Sequence, residues 1–198
     1  MNEILVFCED SFHERFVGAL ITRLSRERGI GVRTVFLSAQ GGLPRVHREF
    51  KDLLRDLERF RRPLPAAIIA VADANCLGYN GRRSEFEREL DRYSKFGGIV
   101  SYAIPDPHIE RWMLADPRAF QTVFGRGCTT PAVKCEKGEY KRLLRTEIRQ
   151  SGIDAPLGGE EFAEDIVMAM DLGHVETSEE SLGRFLKTLK GLFHQFSR

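Results

Sequence analysis

This sequence predicts an α/β fold, a Toprim/Rossmann-like parallel sheet with crossover helices plus a helical C-terminal extension. Three observations predict it. Short apolar, β-branched runs recur four times before residue 124, amphipathic stretches separate them, and no strand signal follows Gly125. Strands are expected at Ile4 to Phe7, Val32 to Leu37, Ala66 to Ala72 and Ile99 to Ile104, each rich in β-branched or aromatic residues and free of internal proline.

The intervening helices follow from spacing. Phe12, Phe16, Val17, Leu20, Ile21 and Leu24 recur every three or four residues, and Gly29 and Gly31 end that helix. Val46, Phe50, Leu53, Leu54, Leu57 and Phe60 repeat the pattern, which Pro63 and Pro65 stop. A third helix is expected over Ser84 to Lys95, and a fourth after Pro107 through Phe120.

The chain therefore reads as an α/β domain over 1–124 and a helical extension over 125–198 packed on it. In the extension, KGEYKRLLRTEIRQ predicts a basic helix. Thr177 and Glu180 stand at capping-box spacing ahead of an apolar stripe from Leu182 to Phe196, which predicts the last helix.

Composition is that of a soluble globular protein: 198 residues, 42% hydrophobic, 30% charged, with a net charge of +1 that gives no global attraction to nucleic acid or membrane. The N-terminal apolar run is too short for a secretory signal or a membrane span. Cys8, Cys76, Cys128 and Cys135 fall at no zinc or redox spacing, so reduced thiols and a cytoplasmic location are expected.

Ligands of open parallel sheets bind at the carboxyl ends of the strands. Glu9 and Asp10 follow the first strand, Asp73 and Asn75 the third, and Asp106, His108 and Glu110 the fourth, so acids from three strand ends meet at one edge. Carboxylate and amide oxygens are hard ligands suited to Mg²⁺ or Mn²⁺, and such an ion suits phosphoryl transfer. Taken singly, Glu9, Asp10 and Asp73 read as caps rather than ligands, and His13 as a capping or surface histidine. Trp112 reads as a core anchor for the helix carrying Glu110. No GxxxxGK[ST], GxGxxG or GxSxG motif is present, which disfavours P-loop, dinucleotide and α/β-hydrolase chemistry.

Glu9 after the first strand, the Asp73–Asn75 pair after a later one, and HIERWML with Glu110 and Trp112 resemble the Toprim domain of topoisomerases, primases and OLD-type nucleases. The HIERWML segment is similar to the motif of small standalone Toprim-like proteins of bacterial defence loci. The resemblance spans residues 1–124 and implies a Mg²⁺- or Mn²⁺-dependent nuclease acting on DNA or RNA in antiviral defence, with a protein partner such as an ATPase. It implies that Glu9 serves as general acid/base, that Asp73 and Asn75 hold the metal, and that Glu110 adds charge where Asn75 replaces an aspartate. That replacement leaves open a catalytically inert Toprim-like interaction module. A degenerate receiver domain, matched by Glu9, Asp10 and Asp73, is a third reading, but it lacks a fifth strand and its lysine.

Two basic segments are candidates for phosphate contact. RVHREFKDLLRDLERFRR contains Arg45, Arg48, Lys51 and Arg55, and KCEKGEYKRLLRTEIRQ contains Lys137, Lys141, Arg142 and Arg145. The second group is favoured because it sits in the appended region. Residues 160–180 hold eight acids and no lysine or arginine, so the extension as a whole does not read as a phosphate surface.

Overall fold

The structure is a computed structural model and describes every residue except 40–42, 60–62, 130–131, 133–134, 137 and 198. Strands β1 (Asn2–Cys8), β2 (Val32–Ser38), β3 (Ala67–Val71) and β4 (Val100–Ala103) form one parallel sheet in the order β2-β1-β3-β4. The predicted α/β class and all four strands are present. Alternate side chains of β1 enter different cores: Ile4, Val6 and Cys8 on one face, Leu5 and Phe7 on the other, as the strand period of two requires.

Helices α1 (Ser11–Glu27), α2 (Leu43–Arg59) and α3 (Gly78–Leu90) follow the first three strands. Gly29 turns the chain after α1 at φ +65°, in the left-handed region glycine adopts without strain. The third helix starts earlier than its apolar spacing indicates and gives way to a 3₁₀ segment at Asp91–Phe96. The single helix expected through Phe120 is two, α4 (Ile109–Met113) and α5 (Pro117–Phe124). Pro117 cannot donate to a continuing helix, and Asp116 caps a new one by accepting from Arg118 N and Ala119 N.

The extension comprises α6 (Glu139–Gln150), α7 (Ala163–Ala169), α8 (Leu172–Ser178) and α9 (Glu180–Phe196). The predicted Thr177–Glu180 capping box does not form. Thr177 lies within α8 and bonds the His174 carbonyl, while Glu179 caps α9. Leu182, Phe185, Leu186, Leu189 and Phe193 are buried in the same core as β1 and α1. At roughly 1.5–3 kcal/mol for each fully buried side chain, this stripe makes α9 integral to the fold.

Polar bonds tie α9 to the loop after β4. Ser181 Oγ accepts from Trp112 Nε1 (2.7 Å) and Asp106 N (3.2 Å), and Arg111 pairs with the buried Glu179. Trp112 is fully buried and stacks on Phe185 with centroids 5.9 Å apart, the anchoring role its sequence position indicates.

The reduced-thiol expectation is corrected for one pair. Cys76 and Cys135 form a disulfide across 59 residues, whereas Cys8 and Cys128 are free. Closing a loop of that length in the unfolded chain contributes about 4 kcal/mol. Changing both cysteines to serine is expected to lower the melting temperature by roughly 10 °C in a calorimetric scan. Among the described residues, no helix is long and apolar enough to cross a membrane.

Candidate metal centre

Strand register brings the site together. Cys8 pairs with Val71 and Val71 with Ala103, so β1, β3 and β4 end level with one another. Successive loops stay zipped beyond the strands through Glu9 N to Val71 O (3.1 Å), Ala72 N to Ala103 O (3.3 Å), Ala74 N to Pro105 O (2.8 Å) and Asn75 N to Pro107 O (2.9 Å). From β1 the chain moves to one side of the sheet for β2 and to the other for β3, so Glu9 and Asp73 flank the point where strand order reverses.

His13 occupies the centre. It is 1% exposed, and its ring nitrogens each meet a carboxylate oxygen, Nδ1 at Asp10 Oδ1 (2.7 Å) and Nε2 at Asp73 Oδ1 (3.0 Å), an arrangement in which both donate when the ring is charged. The sequence expectation of a capping or surface histidine is thus corrected to a buried bridge. The signal was available, because His13 leads the buried stripe Val17, Leu20 and Leu24 on α1. Burial opposes its charge, but the Asp73 carboxylate and the two hydrogen bonds outweigh it and hold the imidazole well above its usual range.

Asp10 has two roles. It caps α1 by accepting from Phe12 N (3.0 Å) and His13 N (3.1 Å), as its position indicates. Burial works against its ionisation, but the bond to His13 and that ring's charge prevail and hold the carboxyl at about 2.

Asp73 is the most heavily bonded acid of the site. Oδ1 accepts from His13 Nε2 and Ile109 N (2.8 Å), and Oδ2 accepts from His108 Nδ1 (3.0 Å). Burial raises its pKa, yet the charge of His13 and the hydrogen bonds from His108 and His13 bring it below the ordinary carboxylate value. His108 is shifted upward, first by its bond to Asp73.

Glu9 and Glu110 behave oppositely. Glu9 Oε2 accepts from Asp73 N (3.2 Å); burial lifts its pKa, the His13 charge opposes the lift, the Asp73 charge adds to it, and the balance stays upward. Glu110, in the first turn of α4, is raised by burial and then by Asp73. Among the described histidines, cysteines and acids, Glu9, His13 and Asp73 place potential ligand atoms within 4.8 Å of one another, and Glu110 stands outside that set.

Asn75 opens the 3₁₀ turn Asn75–Leu77 at φ +51°, a conformation asparagine tolerates better than most side-chain-bearing residues, and its Nδ2 donates to Asp73 O (3.3 Å). The same carbonyl accepts from Arg82 Nε (2.8 Å). Arg82 is 2% exposed and pairs with Glu85 beside His47, and sequence reasoning missed it. Its spacing four residues before Phe86 and eight before Leu90, all buried on α3, was the available signal.

The two basic helices differ. On α2, Arg45 pairs with Glu49 (2.5 Å), and Arg55 with Asp52 (2.9 Å) and Asp56 (3.7 Å). On α6, Lys141, Arg142 and Arg145 are exposed, and no ion pair to them is found among the described residues; Lys137 lies outside the described residues. Tyr140 of α6 meets the His108 ring at 6.0 Å between centroids, so α6 starts beside the acids.

Compared with known protein families, with characterised proteins and with solved structures, the chain matches none.

Proposed function

We propose that this edge of the sheet is a Mg²⁺ or Mn²⁺ centre that hydrolyses phosphodiester bonds of nucleic acid, with Glu9 and Asp73 as its principal residues. The observation that carries the proposal is a charge imbalance. His13 sits between Asp10 and Asp73, whereas the raised pKa values of Glu9 and Glu110 reflect burial beside Asp73 with too little compensating charge. A hard cation is the partner that balances such carboxylates.

The donor set fits. Each carboxylate oxygen has two acceptor positions, so Asp73 Oδ2, which takes one hydrogen bond from His108, keeps one for coordination. Glu9 would supply the second carboxylate. Glu110, which stands outside the tightest set, and the Asn75 amide are further oxygen donors of these loops, and His13, bonded to Asp10 and Asp73, orients Asp73. The ion, when bound, polarises the phosphoryl group and offsets the charge developing on it. Glu9, ionised once an ion is bound, would accept a proton from the attacking water.

Binding an ion here displaces protons from Glu9 and Glu110, so Mn²⁺ affinity is expected to rise with pH through and above the ordinary carboxylate range. Titration calorimetry at several pH values measures this, and an affinity flat with pH contradicts the assignment. The direct functional test is Mg²⁺- or Mn²⁺-dependent nicking of plasmid DNA and cleavage of RNA, alone and with a candidate protein partner.

One observation favours a second reading, the inert interaction module. Protein groups already engage both oxygens of Asp73, His13 and Ile109 N on Oδ1 and His108 on Oδ2. Absence of metal binding and of cleavage under all conditions selects that reading.

A further inference from the structure

We infer that α6 is a backbone track for one nucleic-acid strand, a ladder of Lys141, Arg145 and Arg149 leading to the His108 side of the acidic centre. The inference deepens the nuclease reading and rests on its substrate class, but it concerns binding and is tested without catalysis. Arg149 is new to the cationic set. The three residues follow one another at intervals of four, so they lie along one stripe of the helix. Four residues rise about 6 Å, comparable with the distance between neighbouring phosphates of an extended strand, and the stripe extends about 12 Å. It therefore meets three successive phosphates.

Several features separate α6 from an ordinary solvated helix. Lys141, Arg142, Arg145 and Arg149 are all exposed, and none has an ion pair among the described residues. The acids of α6 do not balance them on that face, because Glu147 is buried and Glu139 lies at the N-terminal end. On α2, by contrast, Arg45 and Arg55 are engaged by their own helix.

The middle rung is also held in place. Gly158 has φ +81°, and a Cβ there would stand 3.0 Å from Arg145 Nε, so the guanidinium lies directly over a residue without a side chain. Arg145 and Arg149 face a cleft of about 240 Å³ completed by Ile153, Asp154, Ala155 and Pro156. Asp154 is the acid in that cleft. Leu144 and Ile148 anchor α6 in the core, and at the Lys141 end Tyr140 contacts His108, whose Nδ1 meets Asp73 Oδ2. A strand on the ladder is thereby led toward the carboxylates.

The probe is a short fluorescent oligothymidylate, with its affinity measured by anisotropy over a salt series in EDTA so that no cleavage intervenes. Three phosphate contacts to a single strand give a slope of log affinity against log salt of about −2. The variant K141Q/R145Q/R149Q is expected to lose that share, so from about 50 to about 200 mM salt the parent weakens roughly 20-fold more than the variant. The matching α2 variant, R45Q/R48Q/K51Q, is expected to keep the parental slope, and melting curves verify that both variants fold. An unchanged slope in the α6 variant, a slope lost equally in the α2 variant, or a parent that does not bind at low salt overturns the inference. A parent that binds through α6 but never cleaves with Mg²⁺ or Mn²⁺ refutes the nuclease reading while leaving the track intact. Cleavage by a protein whose α6 variant binds like the parent does the reverse.

Discussion

Glu9→Gln and Asp73→Asn are each expected to abolish metal-dependent cleavage, with a loss of a thousandfold or more where the parent is active. Glu9→Gln keeps the shape of the side chain and its acceptor for Asp73 N, but removes a charge and a titrating group. Asp73→Asn is the more disruptive change. An amide in place of that carboxylate offers at most one acceptor oxygen to His13 Nε2, Ile109 N and His108 Nδ1, and directs an N–H₂ group at one of them. A melt must accompany each assay, so that a loss of fold is not read as a loss of chemistry. Glu110→Gln is expected to fall between these variants and the parent, because Glu110 stands outside the tightest ligand set. If Glu9→Gln and Asp73→Asn, both folded, cut as fast as the parent, the site lies elsewhere.

His13→Leu is expected to cost about 3–5 kcal/mol of stability, since it leaves the Asp10 and Asp73 carboxylates without the cation between them. The pH dependence identifies the cause. The His13 pKa is raised by folding, so its contribution is fully present below the unfolded value of about 6.5 and is lost as pH rises through the folded value. Asp10 runs the other way: folding depresses its pKa from 3.8 to about 2, so its contribution is present above 3.8 and lost as pH falls toward about 2. The parent should therefore be most stable between these limits. Urea midpoints above pH 6.5 should decline more steeply in the parent than in His13→Leu, where His108 alone loses a proton bonded to Asp73. Equal slopes in both proteins would show that His13 carries no special charge.

Much of this arrangement was legible in the sequence because two periodicities dominate it. Strand-like runs ending at Phe7, Ala72 and Ile104 placed three acid-bearing loops on one edge, and the parallel register makes those ends level. What remained hidden depends on partners distant in sequence. Nothing local to His13 marks Asp73, 60 residues away, as its second acceptor. Arg82 resembles a solvated arginine until its helix is seen to bury the face it shares with Phe86. Cys76 and Cys135 carry no spacing motif, and only the fold brings their Cα atoms to 5.3 Å. The break between α4 and α5 was readable, because Asp116–Pro117 is a cap followed by a proline at the first helical position, but the apolar stripe on either side of it masks the signal.

A crystal of the protein soaked in Mn²⁺ and measured for anomalous scattering tests the central claim most directly. The account predicts a peak bridging the Glu9 and Asp73 carboxylates, with Glu110 or Asn75 drawn toward it and His13 still bonded to Asp10 and Asp73. A crystal saturated with Mn²⁺ that shows no peak at this edge, with Glu9 and Glu110 unmoved, would contradict it.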